Sequence, residues 1–192
     1  MQTRAFAFAL MLLAGGCARG YTLVAGSQPV AAGGLSLSPG MDWNKTPGHA
    51  APGVQVWTLN GTQLDRFLLV SGLKDGSVIV KQGKKTSEKV PTFRANMNPQ
   101  DVSAMLESFY RIVAGATNYT ATGLAPAPFA GDPGFKFEFT FSGTDDVKRR
   151  GRAAGIIKNG TLSLLVLDAA SLHYFDAAAP EFDRIAASAK RT

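Results

Sequence analysis

From Gly134 onward the chain alternates. Phe135, Phe137, Phe139 and Phe141 stand between Lys136, Glu138 and Thr140, and a period of two places the four rings on one face of a strand. Gly143 to Asp146 reads as a turn, and a second strand runs from about Val147 to Lys158. Register decides which of its faces joins the rings. Pairing Phe141 with Lys148 would put Lys148, Arg150 and Arg152 on the ring face, burying charge without partners. Pairing Phe141 with Arg149 leaves only Arg149 there, sets Gly151, Ala153 and Gly155 opposite the rings, and brings Glu138 across from Arg152. The second register is therefore expected, because a slip of one residue exchanges the faces of a whole strand. Asn159-Gly160 between apolar runs signals a two-residue hairpin turn, which pairs Lys158 with Thr161. Leu162, Leu164 and Val166 then join the ring face, while Leu165 and Leu167 fall on the other side with Ala154 and Ile156. With apolar residues on both faces, the sheet needs cover on both, which predicts an α+β domain: an antiparallel β-sheet flanked by helices.

Upstream, Leu35–Leu37 and Val54–Leu59 read as strands, with Pro39 to Trp43 as a turn and residues 44 to 53 as a loop. Asn60-Gly61 is a second hairpin signal, with Gln63 to Gly72 as the partner strand. Ser77 to Lys81 reads as short and extended, and the lysines at 81, 84, 85 and 89 as a solvated loop. Asn98-Pro99-Gln100-Asp101 opens a helix: Asn98 caps, Pro99 fits the first position and Asp101 complements the dipole. Val102, Met105, Leu106, Phe109, Ile112 and Val113 follow at helical spacing. Asn118 to Thr122 is extended, and Pro126 and Pro128 mark a sheet edge or a break. Ser171 to Phe175 fits one helical turn. Pro180 is expected to open a terminal helix with Glu181 and Asp183 in its first turn and Phe182, Ile185, Ala186 and Ala189 facing inward.

The first residues belong to none of this. Arg4 precedes a short apolar run, Ala5 to Leu13, too short to span a bilayer, and Leu13-Ala14-Gly15-Gly16-Cys17 follows. This is the form of a processed leader. Small residues before a cysteine resemble the lipobox of bacterial lipoproteins, although Ala14 stands where leucine is commonest. The resemblance implies that Cys17 is acylated and becomes the new N-terminus, with palmitate among its chains. Cys17 is the single cysteine of 192 residues, so no thiol is left over for a disulfide. Several acyl chains hold a domain at a membrane stably, and Ala18 after the cysteine implies the outer membrane by the enteric sorting rule. The chain is thus divided into a signal peptide at 1–16, a lipid-anchored tether at 17–34 and one domain at 35–192. The net charge is +6, but the basic residues are scattered, which suits solubility and gives no nucleic-acid footprint.

Taken together, the order is strand pair, amphipathic helix, three-stranded meander and terminal helix. It resembles the PsbP-like α/β/α sandwich, a group holding extrinsic photosystem subunits, a Ran-binding nuclear import factor and small bacterial lipoproteins of the DcrB type. The resemblance lies in Gly134-Phe135, in Asn159-Gly160-Thr161-Leu162, and in Pro180-Glu181-Phe182 with Ile185 and Ser188. It spans most of residues 35 to 190 and implies a docking or assembly role by analogy, with no transferable functional residue.

Catalytic chemistry finds little footing. The two histidines, His49 and His173, have no metal-ligand spacing, so neither a metal nor a cofactor is expected. No phosphate loop, dinucleotide fingerprint or nucleophile elbow occurs. The best nucleophile set is Ser171 or Ser188 with His173 and Asp168 or Asp176, and Ser171 and His173 are two apart, which on a helix does not bring them together. His173-Tyr174-Phe175, joining the last strand to the terminal helix, is the candidate binding surface, the alternative being that Tyr174 and Phe175 cap the core. The Asn-X-Thr triplets at Asn60 and Asn159 read as turn chemistry. The expectation is a non-catalytic, membrane-anchored envelope lipoprotein, facing the periplasm, that docks onto an envelope protein. The alternatives are a module binding a small ligand or lipid between sheet and helix, and a hydrolase centred on His173.

Overall fold

A computed structural model describes residues 20–48, 50–81, 83 and 88–192. Cys17, His49, Lys84 and Lys85 lie outside the described residues. Eleven strands and two helices run in the order β1 (Thr22–Val24), β2 (Val30–Ala32), β3 (Leu35–Leu37), β4 (Trp43–Lys45), β5 (Val54–Thr58), β6 (Asp65–Lys74), α1 (Pro99–Val113), β7 (Thr117–Phe129), β8 (Asp132–Ser142), β9 (Lys148–Lys158), β10 (Thr161–Ala170), α2 (Tyr174–Ser188) and β11 (Lys190–Arg191). Eight strands form one antiparallel sheet, β1-β4-β5-β6-β10-β9-β8-β7, and β11-β3-β2 form a small second one. Ordered pairing starts at Thr22, ahead of Leu35, because β1 adds to the sheet edge along β4.

The meander has the expected register. Phe141 pairs with Arg149, Glu138 with Arg152 and Phe139 with Gly151, and Lys158 pairs with Thr161. Asn159 and Gly160 both take positive φ, 51° and 72°, the conformation of a type I′ turn. Gly151 is required by packing: a Cβ there would fall 2.1 Å from the Phe139 ring. One apolar cluster joins the four phenylalanines to Leu162, Leu164 and Val166 under α1. The other joins Leu165, Leu167 and Ile156 to Trp43, Trp57, Phe67 and the inner face of α2. The sheet is thus the middle layer of a helix–sheet–helix sandwich, an α+β fold.

Four expectations are corrected. Trp43–Lys45 is a strand, not turn and loop, because the Trp43 ring is wholly buried against Phe67, 5.4 Å between centroids. Asn60-Gly61 does not make a two-residue hairpin; β5 and β6 pair only from Trp57 and Phe67 outward. The wider loop is closed by Asp65, whose carboxylate accepts from Thr58 Oγ1, the Leu59 and Asn60 amides and Asn60 Nδ2 at 2.6–2.9 Å. The inner stripe of α1 ends on Tyr110 rather than Ile112 and Val113. Its start has the capping box formed by Asn98 and Asp101. Of the two readings of Pro126 and Pro128, edge or break, the edge holds: β7 is the outermost strand and its free edge needs no N–H there. Pro180 lies inside α2 and does not begin it. Its ring removes the bond to the Asp176 carbonyl, but Phe175, Ala178, Ala179, Phe182 and Ile185 form one buried stripe across it, so packing holds both halves as one helix.

Candidate functional site

A buried charge, Asp168, lies on the α1 side of the sheet. Asp168 stands near the C-terminal end of β10 and pairs directly with Arg66 of β6. Arg66 donates from Nε to both carboxylate oxygens, at 3.1 Å each, and from Nη2 at 2.8 Å. Tyr110 of α1 donates its hydroxyl to Asp168 Oδ2 at 2.7 Å. A fork of guanidinium donors on one carboxylate is the strong geometry for such a pair. Asp168 raises the Arg66 guanidinium above its ordinary value, and burial, reinforced by Asp168, pushes the Tyr110 hydroxyl well up. The cluster walls a cavity of about 110 Å³ with Val56, Leu68, Ile79 and Phe109, which is room for little more than water. Its geometry ties α1 to the two central strands and leaves no carboxylate oxygen of Asp168 without a donor. An aspartate inside Leu162-Ser163-Leu164-Leu165-Val166-Leu167-Asp168-Ala169 was the available signal: a charge in a buried run needs a partner.

The larger feature is on the opposite face. Helix α2 covers β10 and β9, then leaves β8 and β7 open. Between them lies a groove of about 570 Å³ lined by Ala127, Pro128, Lys136, Ala154, Phe182 and Ala186. Its polar side is a chain of charges: Arg152 donates from Nε to Glu138 at 2.8 Å and from Nη1 to Asp183 at 2.6 Å. The groove is of ligand-pocket size, with an apolar wall facing a charged one. It was not legible in the sequence, because it depends on where α2 stops relative to the two outer strands.

His173, Tyr174 and Phe175 are not brought out as one surface. His173 is exposed and takes a φ of 70°, Tyr174 is half-buried, and Phe175 is 1% exposed in the core beneath the Arg150 guanidinium, 4.2 Å away. The nucleophile set is not assembled either. Asp168 is held by Arg66 and Tyr110, Asp176 accepts from Arg150 at 2.8 Å, and Ser188 donates to the Ile185 carbonyl while accepting the Ser38 amide. Glu181, buried in α2, accepts from the Gly40 amide at 2.5 Å and pins the turn before β4. Among the described residues no group of side chains could hold a metal ion, and no helix is long and apolar enough to cross a membrane.

No family model matches the chain, and no curated protein sequence matches it. Solved structures do. The solution structure of cyanobacterial PsbP (CyanoP) from Synechocystis is similar over 95% of this chain and 99% of that one, with a TM-score of 0.53 and 14% identity. The crystal structure of LpqN, involved in cell envelope biogenesis of Mycobacterium tuberculosis, covers 93% of this chain and 87% of its own, with a TM-score of 0.34 and 11% identity. Strand order, the helix on each face and the likeness to CyanoP agree: the chain has the PsbP-like fold.

Proposed function

We propose that the protein is a lipid-anchored bacterial envelope lipoprotein, held through Cys17 and facing the periplasm from the outer membrane. It works without catalysis as a docking module for another envelope protein. The observation that carries this reading is the separation of the two ends of the sheet. The chain enters at β1, one edge, and the groove beside α2 opens at β7, the other edge. Eight strands have seven spacings of about 4.8 Å, so the two edges stand about 34 Å apart. An anchor at one edge leaves the other free to meet a partner. The β7 edge is interrupted by Pro126, Pro128 and two register shifts, which blunt it against strand addition and leave the groove as the docking surface. The test is a photo-crosslinking residue placed at Ala187 on the groove rim or at Leu172 away from it. Capture of one polypeptide at near-equal stoichiometry from Ala187 alone, lost when Ala154→Arg fills the groove, is the expected result. Equal capture from both positions would count against docking at the groove. Cys17→Ser is expected to release the folded protein from the membrane fraction, and retention of that variant after signal cleavage would refute the anchor.

A second reading has one observation in its favour. The apolar wall and volume of the groove suit a small apolar ligand or lipid. A stoichiometric apolar adduct in native mass spectra of protein purified without detergent would favour ligand carriage over docking.

A further inference from the structure

Large apolar side chains left in water are scattered singly over the described residues, with one exception. At the β1 edge, Leu23 is 62%, Tyr21 56% and Met41 40% exposed. Leu23 lies in β1 and Tyr21 directly precedes that strand, while Val24 turns inward beside Trp43. Met41 sits in the turn that leads into β4. That turn is tied to the loop after β1 by the Gly26 amide donating to Asp42 Oδ1 at 2.8 Å, and to α2 by the Met41 amide donating to Glu181. The outer edge of β1 pairs with no strand, and on its inner side Thr22 pairs with Lys45 of β4. Thr22 is five chain steps from Cys17, at most about 17 Å of extended chain.

We infer that this edge is a second membrane contact: Tyr21, Leu23 and Met41 enter the headgroup–acyl boundary of the bilayer to which Cys17 is attached. The inference rests on the proposed anchor. A lipidated cysteine at most about 17 Å from Thr22 keeps this edge close to the bilayer. Leucine and methionine supply apolar area, and tyrosine offers an apolar ring with a polar tip, the combination suited to the boundary. The free N–H and C=O groups of β1 meet headgroups and water there, so no backbone group is stranded. The contact orients the sheet edge-on and directs the β7 groove away from the lipid.

The test uses acylated full-length protein in vesicles of phosphatidylethanolamine and phosphatidylglycerol. Leu23→Trp is compared with Ala121→Trp on the opposite edge, subtracting the buried Trp43 and Trp57 signal of the parent. Tyr21→Trp is the second probe, should the first variant fold poorly. Brominated lipid is expected to quench the indole introduced at position 23 several-fold more than that at 121, and iodide to do the reverse. Vesicle-bound protein whose indole at 23 responds to iodide and not to brominated lipid overturns the inference and leaves the anchor standing. Shielding from both quenchers together with a crosslinked dimer overturns it in favour of a second copy on this edge. Protein that does not float with the vesicles removes the anchor and this inference with it.

Discussion

Replacing Arg66 with methionine leaves the Asp168 carboxylate in the core with one donor. Its side chain is 3% exposed and loses all three guanidinium bonds, keeping only the Tyr110 hydroxyl. Breaking a buried pair by removing one partner costs about 3–5 kcal/mol. The Arg66 side chain is itself 30% exposed, so the pair is partly screened and a loss of about 3 kcal/mol is the fair figure. With a guanidinium m-value of about 4 kcal/mol/M, the midpoint of unfolding should fall by about 0.75 M. One further measurement separates the stranded charge from simple loss of packing. The triple variant Arg66→Met, Asp168→Leu and Tyr110→Phe, which removes every polar partner at once, should return to within about 1 kcal/mol of the parent. Additive losses in the triple variant, or a midpoint moved by less than about 0.2 M in the single one, would refute the reasoning.

Three further outcomes follow from particular contacts. Tyr119 has a buried hydroxyl with no partner among the described residues, and burial raises its ionisation well above the ordinary value; Tyr119→Phe should be neutral or stabilising by up to about 1 kcal/mol, whereas Tyr110→Phe should cost about 2, both read by chemical denaturation. Gly151→Ala forces a methyl group into the Phe139 ring and should cost about 1–3 kcal/mol; pairing it with Phe139→Leu should recover part of the loss, and simple additivity of the two would count against the contact. The Lys158 ammonium bonded to Asp132, with Arg191 beside it, holds that carboxyl below its usual range. A lowered folded value adds stability that is present above the unfolded pKa near 4 and is lost as pH falls through the lower one. Lys158→Met should therefore flatten the fall in stability below about pH 4, and an unchanged acid slope would dissociate this pair from acid unfolding.

The sequence by itself determined the second half of the fold. The alternation of Phe135 to Phe141, the cost of burying Lys148, Arg150 and Arg152, and the Asn159-Gly160 turn left one register for β8, β9 and β10, because period-two strands cannot slip without exchanging faces. The α1 cap was equally legible, since Asn98 and Asp101 act within a few residues of each other. Non-local partners decided the rest. Asn60-Gly61 gave way to Asp65, whose four hydrogen bonds outweigh a local turn preference. Pro180 stayed inside α2 because the sheet packs both sides of it. Asp168 announced a buried charge in the sequence, but its partners lie 58 and 102 residues away and could be named only from the packed layers. The groove is an outcome of tertiary structure alone: it exists because α2 packs on β10 and β9 and its flank leaves β8 and β7 uncovered, a relation between elements that no single stretch of chain encodes.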